Sequence, residues 1–299
     1  MHFSYRVGGN RGKLQMCNYT FRNGKNCPEE IIPGFEYCIL HSDLPEDEDS
    51  AEFTELNELK EQKVKEKIDA GDFNFEGAKL LEIDFSGMEI KEKLVFFDAI
   101  IHKEALFYEA IFGDIAEFDK ARFGGSTVFA KSTFGRDVGF ESAKFRKDAW
   151  FEGVKFEKYA SFINATFTKS ALFKDAIFRG NVWFNSTKFV KIANFIDATF
   201  GEDACFDDAT FEGHTVFTKA KFGSNAEFER TTFEGNTRFE RAIFGGYALF
   251  SEAKFGDVSW FGNATFEGYA AFVGTTFGEI VNFDSIISNS ELIFKEARF

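Results

Sequence analysis

FAKSTFGRDVGFESAKFRKDAWF, residues 129–151, contains the rule that most of the chain obeys. Phe stands at 129, 134, 140, 145 and 151, so the intervals alternate between five and six. Continued at steps of eleven in both directions, the series through Phe129, Phe140 and Phe151 runs from Phe85 to Phe294 and is Phe at all 20 positions. A second series, five residues later, is Phe at sixteen consecutive positions from Phe112 to Phe277. Ile90 and Ile101 begin it, Ser288 breaks it and Phe299 resumes it. Two residues before almost every Phe stands a small or β-branched residue: in the quoted stretch Ser132, Val138, Ala143 and Ala149.

An amphipathic helix spaces its apolar residues three and four apart. A plain strand alternates every two over a longer run. The five/six beat fits neither, but it fits a chain that turns a corner after each short segment. The small residue and the Phe, two apart, then share the inward side, and the residues after the Phe make the corner. Four such sides close a coil of 22 residues, and the next coil stacks on it. Gly201, Gly223, Gly256 and Gly278 fall in the longer corner, where the reading expects them to supply unusual backbone angles.

This pattern resembles the pentapeptide-repeat family. The resemblance implies an all-β fold, a right-handed quadrilateral parallel β-helix with the central Phe and the small residue pointing inward. The two series supply about ten coils, a rod on the order of 48 Å long at about 4.8 Å per coil. The Phe columns are read as core and not as a cofactor box. At roughly 1.5–3 kcal/mol per large buried side chain, they suffice to order the chain.

The 299 residues divide into three stretches: 1–42, 43–71 and 72–299. Their net charges are about +2, −7 and −9, within a total of −14. No run of apolar residues is long enough for a membrane span. Residues 1–6 lack the pattern of a secretory signal, so the expected location is cytoplasmic.

The first stretch contains Cys17, Cys27, Cys38 and His41, a C-x9-C-x10-C-x2-H array holding three of the four cysteines. Thiolates and imidazole are zinc ligands, and structural zinc sites use four of them. A segment this short has little core, so a structural Zn²⁺ would supply much of its folding energy. The array, with Tyr37 before the third Cys, resembles the Cys3His zinc module of the plant WRC domain. It departs from it in having Lys25-Asn26 where a Trp-Arg pair precedes the second Cys. That resemblance implies contact with nucleic acid through residues 1–42, where Arg6, Arg11, Lys13, Arg22 and Lys25 all precede the first acid. Cys205 is read as a lone surface thiol.

Residues 43–49 (DLPEDED) read as an acidic linker. Asp49 or Ser50 is placed as the N-cap of an amphipathic helix over 51–70, with Glu52 in a capping box and Gly71 as the stop. Its apolar stripe is read as Phe53, Leu56, Leu59, Val64 and Ile68. The helix is expected to cap the N-terminal end of the rod, where strand edges and core rings are exposed; a short coiled-coil dimer is the other reading. At the far end the pattern stops at Phe299 without a capping helix. Two expectations follow: a fragment of a longer chain, or a homodimer meeting end to end.

Stepping by 22 through the residue before each Phe collects one outward row per side. One row is Leu106, Val128, Trp150, Leu172, Asn194, Val216, Arg238 and Trp260. It is apolar for a solvated face, and a contiguous apolar patch marks contact. Leu106, Val128, Trp150, Leu172, Val216 and Trp260 are therefore the candidate residues for a protein partner or a homodimer. Another row, Arg122, Lys144, Thr166, Lys188, Thr210, Thr232, Lys254, Thr276 and Arg298, is polar and basic.

No catalytic constellation stands out: His2, His41, His102 and His214 are scattered, and no phosphate-cradling Gly-Lys-Ser/Thr loop occurs. The expected function is a non-enzymatic, protein-binding scaffold with a structural zinc site. The alternative is nucleic-acid engagement, either DNA or RNA binding through the zinc module or DNA mimicry by the rod. Mimicry is what the resemblance implies, since some pentapeptide-repeat proteins act in that way on the topoisomerase DNA gyrase.

Overall fold

The computed structural model describes residues 15–299, so Arg6, Arg11 and Lys13 of the basic edge lie outside it. From Lys79 onward the chain forms 39 strands of two or three residues, arranged in four parallel sheets of nine, ten, ten and ten strands. This is the four-sided parallel β-solenoid of about ten coils that the Phe beat calls for. Partners in successive coils are 22 residues apart, as in Lys144↔Thr166 and Trp150↔Leu172. The first rung is one residue shorter, with Leu80 opposite Ile101. We name the sides, in chain order around a coil, the Trp183 face, the Arg122 face, the Trp150 face and the Lys155 face.

Each side buries its small residue and its Phe and turns the residue between them outward, so Ala143 and Phe145 are fully buried while Lys144 is exposed. Along the axis, rings stack nearly parallel, as in Phe107–Phe129 at 4.5 Å between centroids. Across the coil they meet edge to face, as in Phe118–Phe129 at 5.2 Å and 79°. Both arrangements suit the ring quadrupole and add about 0.5–1.5 kcal/mol per pair beyond burial. Thr187, Thr231 and Thr275, in the inward small position, donate to the carbonyls of Phe162, Phe206 and Phe250 at 2.7 Å. Thr127 and Thr215 are equally buried, but their hydroxyls have no partner.

The corners differ from expectation. Left-handed backbone sits in the shorter corner, two residues after each first-series Phe, and at most of these positions the residue is not Gly: Asp98, Lys120, Lys131, Asn164, Arg230 and Arg241 have φ of 52–60°. Ala99 N donates back to Phe96 O across this turn, the bond of a type II turn with φ > 0 at its third residue. In the longer corner Gly201 and Gly223 have no positive φ. At Gly223 the requirement is space: a Cβ there would lie 2.8 Å from the carbonyl oxygen of Gly201 in the coil before, whereas one on Gly201 would meet Arg179 O at 3.2 Å.

The one helix, α1, spans Ala51–Asp69, and the Ser50 side chain accepts from Phe53 N. Phe53 occupies the third helical position, so Glu52 completes no capping box. The buried stripe is Phe53, Leu56, Lys60 and Val64. Leu59 is 39% exposed, and Lys60 takes the inward place with 1% exposed. Its Nζ donates to Ile39 O at 2.5 Å and Ser42 O at 2.7 Å, which makes burial of an ammonium tolerable. Burial is also the main reason its pKa is pushed down to about 7. α1 is wedged between residues 39–42 and the first coils and does not close the rod alone. Lys79 N donates to Leu40 O at 2.7 Å, continuing the ladder in which Ile100 N donates to Ala78 O. The Cys/His segment is thus stacked on the first coil as an extra rung. No helix among the described residues is long and apolar enough to cross a membrane.

Candidate metal centre

Residues 15–42 hold themselves in place with a few backbone bonds. An antiparallel hairpin carries bridges Met16↔Glu30 and Thr20↔Asn26. Its turn uses Gly24 at φ 79°, where a non-Gly residue is strained. Cys17 and Cys27 lie on its two strands, with Cys17 N donating to Glu29 O and Cys27 N to Tyr19 O. A single turn, closed by His41 N and Ser42 N donating to Cys38 O, sets His41 beside Cys38.

These pieces bring all four sequence-predicted ligands together, buried, with their ligand atoms within 4.8 Å of one another. His41 Nδ1 is 3.4 Å from Cys17 Sγ and 3.2 Å from Cys38 Sγ, and Cys27 Sγ is 3.9 Å from Cys38 Sγ. A disulfide needs about 2.05 Å. A tetrahedral ion with bonds of about 2.3 Å to sulfur and about 2.05 Å to nitrogen has edges of about 3.8 Å and about 3.6 Å. The cluster therefore fits a metal ion.

The surroundings orient the ligands. His41 Nε2 donates to Glu76 O at 2.9 Å, which fixes the tautomer and leaves Nδ1 with a free lone pair facing the sulfurs. Tyr19 stacks on the imidazole at 4.1 Å. Burial pushes the Cys27 thiol up to about 12 and the Cys38 thiol upward. Opposing this, backbone amides of Glu29, Leu40 and His41 point at those two sulfurs. Such donors favour thiolate, the form that binds metal.

Glu76 has no sequence signal. It lies 35 residues from His41, its side chain is buried, and it accepts from Arg22 N at 2.5 Å. Arg22 also pairs with Glu117 and lies over the Phe97 ring. Arg22 is thus engaged with the first coils. Lys25 remains exposed.

Cys205 is buried and not a surface thiol. Asn185 Nδ2 donates to its Sγ at 2.9 Å, and Asp207 and Glu227 lie close by. Stepping by 22 from Cys205 finds Glu227, and from Asn185 finds Asp207, so the crowding was legible. Burial pushes this thiol up to about 12, which keeps it protonated.

The residues read as a contact row are brought together. Leu106, Val128, Trp150, Leu172, Asn194, Val216, Arg238 and Trp260 occupy eight successive rungs of the Trp150 face. Trp150 is 38% exposed, and the Arg238 guanidinium lies over the Trp260 ring at 4.7 Å.

The family described as pentapeptide repeats (nine copies) matches residues 118–166, 162–204, 195–243 and 239–287. The chain belongs to the pentapeptide-repeat family. The matched range covers the regular coils of the pentapeptide-repeat rod and leaves the Cys3His module and α1 outside it. No curated protein and no solved structure matches this pentapeptide-repeat chain.

Proposed function

We propose that this pentapeptide-repeat protein is a non-catalytic scaffold. Its Trp150 face docks a protein partner, and a structural zinc ion holds its N-terminal module on the first coil. The observation that carries the docking reading is the in-register row from Leu106 to Trp260. A rigid rung spacing sets apolar side chains in a straight line, with two Trp residues as anchors, the residue type that dominates binding energy at interfaces. The replacement Trp150→Ser with Trp260→Ser tests it. Its outward positions leave the core intact, so the melting temperature should hold. Partner capture by cross-linking, or self-association in light scattering, should fall at least tenfold; unchanged capture and unchanged mass together would end this reading.

Zinc is the metal that the donor set favours, since three thiolates and one imidazole in a closed tetrahedron are a structural zinc set. One zinc per chain by elemental analysis, lost in Cys38→Ser, is the expected result.

A further inference from the structure

The middle of the rod has the opposite charge from the rest of the chain. Residues 120–191 carry fourteen Lys/Arg against six Asp/Glu, while the whole chain is −14. The excess concentrates on the Arg122 face and the corner after it. Lys144, Arg146, Lys147, Lys169 and Lys191 are all exposed there. Lys147, Lys169 and Lys191 share one stacked corner column: Gly125 stands over Lys103 at its start and Gly213 over Lys191 at its end. Their spacing along the axis is thus about 4.8 Å per coil.

Several cations of the rod are paired: Arg122 with Asp98 and Lys188 with Glu212 at the two ends of this stretch of the face, and Arg179 with Glu157 and Arg230 with Asp208 off it. Among the described residues none of the five has an ion-pair partner. The one acid inside the strip, Asp148, is half-buried and its carboxylate accepts from Ser170 N. Like charges stacked this closely repel one another.

We infer that this strip of the Arg122 face binds the phosphodiester backbone of a nucleic acid. Four rungs, from Arg122 to Lys188, span about 14 Å, the rise of about four phosphates of one strand at 3.4 Å each. Exposed aromatic rings for stacking on bases are absent from the strip, so it contacts phosphates and does not read sequence. The strip has limits that select a strand over a bilayer. Beyond Lys191 the corner after the same face turns to Glu212, Glu234 and Asp257. A strand lying along these four rungs ends where the cations end, whereas a planar anionic membrane laid along the whole rod meets those acids too. The strip has the sign of a DNA binder and not of a DNA mimic. This inference is independent of the Trp150 face and of the zinc module.

The test uses the full, zinc-loaded chain with a fluorescein-labelled 20-base-pair duplex DNA, a single-stranded RNA of equal length, and phosphatidylserine vesicles, across 50–200 mM KCl. The expected plot of log K against log[salt] for the duplex has a slope of about −4 to −5, for about five phosphate contacts. Lys147→Glu with Lys169→Glu should weaken duplex binding at least tenfold at 100 mM and make the slope shallower by about 2. Lys155→Glu with Lys221→Glu, the same charge change on the opposite side, should leave the affinity within twofold to threefold. Melting curves confirm that both variants are folded. The proposal is overturned by no nucleic-acid binding at 50 mM salt, by full binding in the first variant, by equal weakening in the second, or by binding to vesicles alone.

Discussion

The module of residues 15–42 and the rod of residues 79–299 solve the same problem in opposite ways. The rod repeats one contact: each Phe stacks on the Phe 22 residues before and after it, and each coil repeats the same ladder. The module has two isolated bridges, one turn and four converging side chains. Redundancy protects the rod from any single loss. The module has no spare parts: none of its four candidate ligands has a counterpart to replace it.

The largest effect should come from attacking the module at its ligands. With the proposed zinc bound, its removal by a strong chelator, or replacement of Cys38 by Ser, should unfold residues 15–42, since a structural zinc contributes on the order of 10 kcal/mol to such segments. Limited proteolysis should then cut within those residues while the rod stays resistant. Simultaneous collapse of rod and module would contradict the contrast.

The rod's redundancy is tested by Phe162→Ala in the middle coils, with an expected cost of about 3–5 kcal/mol. Hydrogen exchange should show the loss confined to the coils around Phe140, Phe162 and Phe184, the rings stacked in that column.

Lys60 joins the two regions, and its effect is smaller and depends on pH. Its folded pKa is depressed to about 7 from an unfolded value of 10.5. Between these values the unfolded state binds more protons, so the stability of α1 against the module should rise with pH, by at most about 1.4 kcal/mol per unit. Below pH 7 the dependence should flatten. Lys60→Met should abolish the slope, read by exchange rates of α1 corrected for intrinsic pH effects.

The smallest expected effect sharpens the account of the inward threonines. Thr215→Val removes a hydroxyl without a partner and should change stability by less than about 0.5 kcal/mol, in the stabilising direction. Thr231→Val, which deletes the bond to Phe206 O, should cost about 1 kcal/mol. Chemical denaturation of the two variants side by side makes the comparison.

The sequence reveals the coils because an inward ring every five or six residues fits a chain that turns a corner after each short segment, and Phe marks it in all copies but those of Ile90, Ile101 and Ser288. It reveals the four candidate ligands, which the structure brings together, because thiols and imidazole in a short polar segment have few other uses. The left-handed corners were hidden: Lys120, Lys131 and Arg241 have no preference for φ > 0, and the coil imposes it on them. Lys60 was hidden because its burial depends on two carbonyls of the module. Glu76 was hidden because it acts partly through its backbone oxygen, which any residue possesses.

A ladder of near-identical rungs has no zero mark. Shifted by one coil, Phe would still meet Phe and most ladder bonds would re-form, so the repeats alone do not say which coil is first. The bonds from Lys79 N to Leu40 O and from His41 Nε2 to Glu76 O break that degeneracy. Both form at the first coil, so the Cys/His module marks the end from which the stack is counted.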